Sequence, residues 1–227
     1  MTESRRANRP LIIAHRGASG HAVENSLAAF REAARLGADG VELDIHNTAD
    51  GRMAVFHDPV IPSLGRIRQL SSTAVRSYRL ANGEPIPWLE EVLEAIPTLA
   101  VWIEVKGLDP AWDSALLSVI ETARERCAVH SFDHRIIVRL GGQQPRLSRG
   151  VLSTAYPVDP VAPLLATGAD TLWQEWQLID PPLVAQVHQA GRRIFAWTVN
   201  DAGTARALAD MGVDGLCGNF PERLQAP

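Results

Sequence analysis

What most constrains this chain is an alternation that runs almost from end to end. Short apolar runs of strand length are each followed by a segment with helical spacing. The runs are Leu11 to Ala14, Gly40 to Ile45, Leu99 to Val105, Ala128 to Phe132, Val151-Leu152, Thr171 to Trp173, Ile194 to Val199 and Gly215 to Cys217. Between them, Leu27, Phe30, Ala33, Ala34 and Leu36 recur at helical spacing. Further helices are predicted over Trp88 to Ile96, Trp112 to Arg126, His134 to Leu140, Pro160 to Ala166, Pro182 to Ala190 and Ala202 to Met211. Parallel strands need a crossover between neighbours, and a helix after each strand supplies it. Eight such strands predict an α/β protein, a (β/α)8 TIM barrel. Met53 to His57, reached through the Asp50-Gly51 turn, reads as an extension beside the second strand.

A local repeat supports the barrel. Leu36-Gly37-Ala38-Asp39-Gly40, Thr167-Gly168-Ala169-Asp170 and Met211-Gly212-Val213-Asp214-Gly215 each follow a helix and precede a strand. The first glycine of each suits the left-handed residue that ends a helix. The stretch from Asp58 to Pro87 reads as mostly irregular, with prolines at 59, 62, 85 and 87. It is taken as a small insertion after the second strand, over about residues 59–87, inside one domain spanning 1–227. The length of 227 residues fits, because such barrels run to roughly 200–250 residues as one unit.

Composition narrows the partners. A net charge of -4 argues against a nucleic-acid binder, which needs a basic face to displace counterions. The basic cluster Arg5, Arg6 and Arg9 reads as a solvated end. Cys127 and Cys217 form neither a metal-binding doublet nor a disulfide framework, which points to a reducing compartment. No apolar run reaches the roughly 18 residues that span a bilayer. Pro10 to Ala14 is too short for a signal-peptide core. The expectation is a cytoplasmic protein with no stable membrane association.

In a TIM barrel the working residues lie at the C-terminal ends of the strands. The first strand ends in His15-Arg16-Gly17. The second carries Glu42 and Asp44, two apart and so on one face. Its extension ends in His57-Asp58, the third strand carries Glu104 and Lys106, and the seventh ends in Trp197-Thr198-Val199-Asn200. A buried unpaired carboxylate costs several kcal/mol or more. Three converging carboxylates therefore point to a divalent cation, and all-oxygen ligation to Mg²⁺, Ca²⁺ or Mn²⁺ over zinc. The alternative is a buried ion network with Arg16 and Lys106.

His15 and His57 are acid–base candidates, since imidazole titrates near neutral pH. Arg16 and Lys106 supply positive charge for a phosphate. His46 continues the Glu42–Asp44 face and is expected on the rim or surface. His21, His130, His134 and His188 are placed in loops or helices and given no role. Trp102 and Trp112 read as packing residues, while Trp173, Trp176 and Trp197 fall at or beyond strand ends; only Trp197 is given a pocket role. There is no P-loop, because Gly17-Ala18-Ser19-Gly20 lacks the following Lys-Ser/Thr, and no Gly-x-Ser-x-Gly elbow.

His15-Arg16-Gly17, Glu24-Asn25, Glu42-x-Asp44, Asp50-Gly51, His57-Asp58, Glu104-x-Lys106 and Trp197-Thr198-Val199-Asn200 together resemble the glycerophosphodiester phosphodiesterase family, in order from about Leu11 to Pro221. The resemblance implies a TIM barrel with an insertion after the second strand. It implies one divalent cation, Mg²⁺ or Ca²⁺ with Mn²⁺ as a third choice, held by Glu42, Asp44 and Glu104. His15 and His57 would be the general acid and base, with Arg16 and Lys106 on the phosphate. The substrate would be a small glycerophosphodiester, cleaved to sn-glycerol 3-phosphate and an alcohol. The glycerol 2-hydroxyl would attack phosphorus first, and water would then open the cyclic phosphate. Three positions depart from the family pattern. Val23 stands where proline is usual. The insertion lacks an Asp-Arg-Thr run. Cys217-Gly218-Asn219-Phe220-Pro221 replaces Thr-Asp-x-Pro.

Two other readings remain at this stage. A lysophospholipase D-like activity would need an apolar landing surface, and the insertion shows no strong amphipathic helix. An inactive barrel serving as a binding protein is disfavoured by the intact histidines and acidic residues. Oligomeric state, native ion and alcohol are open.

Overall fold

Strand β1 (Leu11–His15) closes the fold, because it pairs in parallel with both β2 (Gly40–Asn47) and the last strand, β11 (Gly215–Gly218). The computed structural model describes residues 9–225, so Arg5 and Arg6 of the basic cluster lie outside the described residues. From β2 the parallel pairing continues through β6 (Ala100–Gly107), β7 (Cys127–Ser131), β8 (Ser148–Ser153), β9 (Thr171–Glu175) and β10 (Arg193–Trp197), and then to β11. The result is a closed eight-stranded parallel barrel. Helices α1 (Leu27–Arg35), α3 (Leu89–Ala95), α4 (Asp113–Glu121), α5 (His134–Gln143), α6 (Ala162–Thr167), α7 (Pro181–Gln189) and α8 (Ala202–Met211) connect the strands, and α9 (Pro221–Leu224) follows β11.

The strand alternation divides the apolar residues into two layers. Ile12, Val41, Leu43, Val101, Ile103, Val129, Val151, Leu172, Ile194 and Leu216 pack outward against the helices. The opposite face fills the barrel with Ile13, Trp102, Leu152, Trp173, Phe195 and Cys217. These large rings fit because glycines face them. An added Cβ would lie 2.5 Å from Trp102 at Gly40, 2.7 Å from Trp173 at Gly150 and 2.7 Å from Phe195 at Gly215. Pairing small with large residues lets a narrow barrel hold three aromatic rings.

The recurring Gly-x-Asp has a structural reason. Gly37, Gly168 and Gly212 are left-handed, at φ of 77°, 66° and 91°. Each following aspartate then clamps the start of a neighbouring strand. Asp39 accepts from the Ile12 amide at 2.8 Å, Asp170 from Arg149 at 3.2 Å and Asp214 from Ile194 at 2.8 Å. Each is also paired with a basic group: Arg9, Arg193 and His188, respectively. Arg9 is thus tied to the bottom of the barrel rather than free in solvent.

The stretch after β2 is more ordered than its sequence suggests. β3 (Met53–Val55) pairs antiparallel with the end of β2. Gly51 makes the turn between them at φ 84°, and a Cβ there would strike the Trp112 ring at 2.4 Å. Beyond β3 come a two-stranded ribbon, β4 (Val60–Ile61) and β5 (Gly65–Arg66), and the short helix α2 (Ser72–Ser77). Ile61, Ile67, Val75, Leu80 and Ile86 are buried there with Ala54 and Trp88 as a separate small core. The stretch has only short regular elements, in keeping with the expectation, yet single apolar residues spaced along it bury together.

Other boundaries shift for local reasons. The helix expected over Trp112 to Arg126 stops at Glu121, and Arg126 turns back to bond the carbonyls of Leu93, Ile96 and Leu99. Strand β8 starts three residues earlier than Val151, since Gly150 is needed opposite Trp173. Both cysteines are buried and unpaired. Among the described residues, no helix is long and apolar enough to cross a membrane.

Candidate active site

Strand alternation carries several polar groups to the C-terminal end of the barrel interior. β1 delivers His15, β2 delivers Glu42, Asp44 and His46, β6 delivers Glu104 and Lys106, and β7 delivers His130. Registers place Glu42 beside His15, Asp44 beside Glu104, and Glu104 beside His130. Residues far apart in sequence therefore share one end of the barrel. His57 lies just past β3, partly buried, and Trp197 ends β10.

Charge is concentrated here. Asp44 is fully buried; its Oδ2 accepts from Asn25 Nδ2 at 2.8 Å and lies 3.2 Å from Arg16 Nε. Its Oδ1 lies 3.1 Å from Lys106 Nζ but has no aligned hydrogen bond. Lys106 Nζ also lies 2.7 Å from Glu104 Oε1, so one ammonium bridges two carboxylates. Glu42 Oε2 accepts from the Arg16 amide at 3.1 Å. Arg16 reaches outward to Glu24 at 2.9 Å. Arg16 and Asn25 both have φ of 55°, and the Asn25 amide donates to the Arg16 carbonyl at 3.0 Å. This left-handed pair folds the β1–α1 loop over the carboxylates.

The buried acids respond unequally. Burial first, then the Asp44 and Glu104 charges, push the Glu42 carboxyl well above the usual range. Glu104 is pushed up to about 7, chiefly by burial against the opposing pull of Lys106. Asp44 is buried too, yet Lys106, Arg16 and Asn25 bring it below its ordinary value. One acid is thus fully compensated, and two are held as ions only at a cost.

The histidines differ in their partners. His15 Nδ1 lies 2.7 Å from the Asn219 side-chain oxygen, which accepts from it. The other nitrogen, Nε2, faces Glu42 at 3.9 Å. Burial and then Arg16 lower the His15 pKa to about 4, so the ring is neutral at pH 7. His57 Nδ1 lies 2.8 Å from Asp58 Oδ1. The ring of Trp197 packs edge-on against Phe132, 5.6 Å between centroids.

Three expectations are corrected. His46 is buried, not on the rim, because β2 runs on to Asn47; its Nε2 donates to the His57 carbonyl at 3.0 Å and so anchors that loop. His130, grouped with the loop and helix histidines, lies instead within the strand expected over Ala128 to Phe132. It points into the barrel from β7, stacks on Trp173 at 4.3 Å and 10°, and puts Nε2 3.8 Å from Glu42 Oε1. Burial lowers its pKa to about 3. Its inward direction could be read from the alternation with Ala128. Trp173 lies in the barrel core, not at its mouth, because it is the third residue of a five-residue strand. Asn25 and Asn219 lie in the Glu24-Asn25 and Cys217 to Pro221 motifs, but their contacts with Asp44 and His15 are made only in the fold.

The donors fit a cation. Glu42, Glu104 and His130 each present a ligand atom within 4.8 Å of the others, and Asp44 Oδ1 beside them lacks an aligned hydrogen-bond donor. Asp44 itself is drawn toward Lys106, Arg16 and Asn25.

A parallel barrel with acids, imidazoles and fixed cations at its C-terminal end is the layout of a phosphoric ester hydrolase. The chain belongs to the glycerophosphoryl diester phosphodiesterase family, whose pattern matches residues 15–223. It is 34% identical to a glycerophosphodiester phosphodiesterase of Caldanaerobacter subterraneus subsp. tengcongensis, over 94% of this chain and 96% of that one. An Oleispira antarctica phosphodiesterase, solved in complex with the product sn-glycerol-3-phosphate, superposes with a TM-score of 0.89 at 26% identity and 97% coverage of both chains. A glycerophosphodiester phosphodiesterase from Thermotoga maritima superposes with a TM-score of 0.78 at 26% identity, over 93% of this chain and 96% of that one. Membership of this family and the buried acid–histidine cluster together support a divalent cation at the site.

Proposed function

We propose that this chain hydrolyses glycerophosphodiesters to sn-glycerol 3-phosphate and an alcohol. The observation that carries the reading is the charge balance of the buried site. Among the described residues, Glu42, Asp44 and Glu104, once ionised, face two fixed cations, Arg16 and Lys106. One negative charge remains, and a divalent cation converts it to one positive charge. A phosphodiester, with its single negative charge, then makes the site neutral. The product complex of the Oleispira relative supports the same substrate class.

Glu42, Asp44 and Glu104 would hold the ion, proposed as Mg²⁺ or Ca²⁺ with Mn²⁺ as a third choice. The ion would polarise the phosphoryl oxygens and offset the charge that builds on them. Arg16 and Lys106 hold the phosphate, and Trp197 contacts the organic part. His15, neutral and with Nε2 free to accept, takes the proton from the glycerol 2-hydroxyl as that oxygen attacks phosphorus. His57 protonates the alcohol oxygen as its bond to phosphorus breaks. In the second half the pair reverses roles, and water opens the cyclic phosphate. The chain is read as one domain over residues 1–227, with 59–87 as an insertion, and as cytoplasmic, without nucleic-acid or stable membrane partners.

A panel of glycerophosphocholine, glycerophosphoethanolamine, glycerophosphoglycerol and lysophosphatidylcholine tests this. Release of glycerol 3-phosphate from the deacylated diesters is expected. Turnover of the lysolipid alone would favour the lysophospholipase D-like reading. Turnover of none would point to an inactive binding barrel.

A further inference from the structure

We infer that His130 is a nitrogen ligand of the cation site, placed beside Glu42 and Glu104, and that it tilts ion choice away from Ca²⁺ toward first-row transition ions. The inference rests on the cation reading above and adds a residue that the sequence motifs do not contain.

Three observations carry it. First, the ring is 1% exposed, and its Nε2, the nitrogen that faces the acids, lies 3.8 Å from Glu42, too far for a hydrogen bond. A buried imidazole normally satisfies both nitrogens, because an unsatisfied polar group costs about 1–3 kcal/mol. Second, the spacing suits a shared ion. Two atoms each about 2.1 Å from one ion can be at most about 4.2 Å apart. The 3.8 Å between His130 Nε2 and Glu42 Oε1 lies inside that limit. The wider span of 4.8 Å across all three ligand atoms needs only small side-chain movements. Third, the ring is held. It lies flat on Trp173, 4.3 Å away, and Trp173 is wedged against Trp102 and Phe195. A fixed ring loses little freedom on ligation.

Donor chemistry gives the consequence. Ca²⁺ takes oxygen ligands, whereas imidazole suits transition ions. Asp44 is shared with Arg16, Lys106 and Asn25, so the His130 nitrogen adds a donor for which those groups do not compete.

The test uses Mn²⁺ and Ca²⁺ as probes on the full chain, with binding followed by calorimetry and Mn²⁺ coordination by pulsed EPR. Wild-type protein is expected to bind Mn²⁺ at least about tenfold more tightly than Ca²⁺ and to show imidazole ¹⁴N modulation. His130→Phe keeps a flat ring on Trp173, and His130→Asn serves as a second variant should that one misfold. Either should lose the ¹⁴N signal and weaken Mn²⁺ about tenfold or more, with Ca²⁺ changed much less. His15→Asn should keep the signal. Full ¹⁴N modulation and unchanged Mn²⁺ affinity in a folded His130 variant would overturn the inference while leaving the cation site standing. No Mn²⁺ or Ca²⁺ binding to wild type, or binding indifferent to Glu42→Gln, would instead overturn the cation reading itself.

Discussion

Glu104→Gln should make the protein more stable in chelator at alkaline pH while removing its activity. Glu104 is almost buried, and its carboxyl is pushed up from an ordinary 4.5 to about 7. A carboxyl raised on folding contributes stability that is present below its unfolded value and is lost as pH rises through its folded value. Without a divalent cation, the Glu104 contribution to stability, read as the difference between wild type and the glutamine variant, should therefore fall between about pH 4.5 and 7, while the depressed His15 and His130 act in the opposite sense in both proteins. At about 1.4 kcal/mol per pH unit, that loss is roughly 3 kcal/mol. Glutamine keeps the shape and an oxygen that can accept from Lys106, but it does not ionise. In EDTA at pH 8 the variant should thus melt above wild type by roughly 6–12 °C, using about 2–4 °C per kcal/mol for a chain of this size. At pH 4.5 the two should melt alike. Saturating cation should reverse the order, because it binds the folded wild type more tightly. Thermal melts by circular dichroism across pH, with EDTA or with cation, measure all of this. A variant less stable than wild type in EDTA at pH 8 would refute the reasoning, for Glu104 would then be a net stabilising partner of Lys106.

Other substitutions test separate links. His15→Ala and His57→Ala should each lower kcat by about 10²–10⁴ with melting temperatures near wild type, measured by glycerol 3-phosphate release; wild-type turnover in either would reject its role. Asn219→Ala should lower kcat by up to ~100-fold with little change in KM, because the His15 ring loses its Nδ1 acceptor, and Asn219→Asp, which keeps an acceptor, should recover most of it. Gly215→Ala should cost about 1–3 kcal/mol, since its Cβ would lie 2.7 Å from Phe195, and an unchanged melting temperature would contradict the packing described for the barrel interior.

The barrel was legible because strand and helix periods differ and every crossover needs a helix. The charged strand ends were legible for a related reason: polar residues at spacing two in apolar strands have few structural explanations. Other features were hidden by distance or by scatter. Asn219 meets His15 across 204 positions of sequence, and Asn25 meets Asp44 across 19. Both fall in short motifs, Glu24-Asn25 and Cys217 to Pro221, but nothing local to either says which side chain it will hold. The alternation with Ala128 sets the inward direction of His130, but its approach to Glu42 depends on the pairing of β7 with β6 and of β6 with β2. The small core after β3 is made of single residues such as Ile61, Ile67 and Val75, which bury together only once the chain has turned back on β3. Val23 packs against that same core.

The most direct test of the central claim is the rate of glycerol 3-phosphate release from glycerophosphocholine or another accepted diester, in metal-stripped protein and again after a divalent ion is returned. The expected result is near-complete loss on stripping and recovery on return, with Glu42→Gln silent in both. Undiminished turnover in the stripped wild-type protein would contradict a mechanism built on acids gathered around a shared cation.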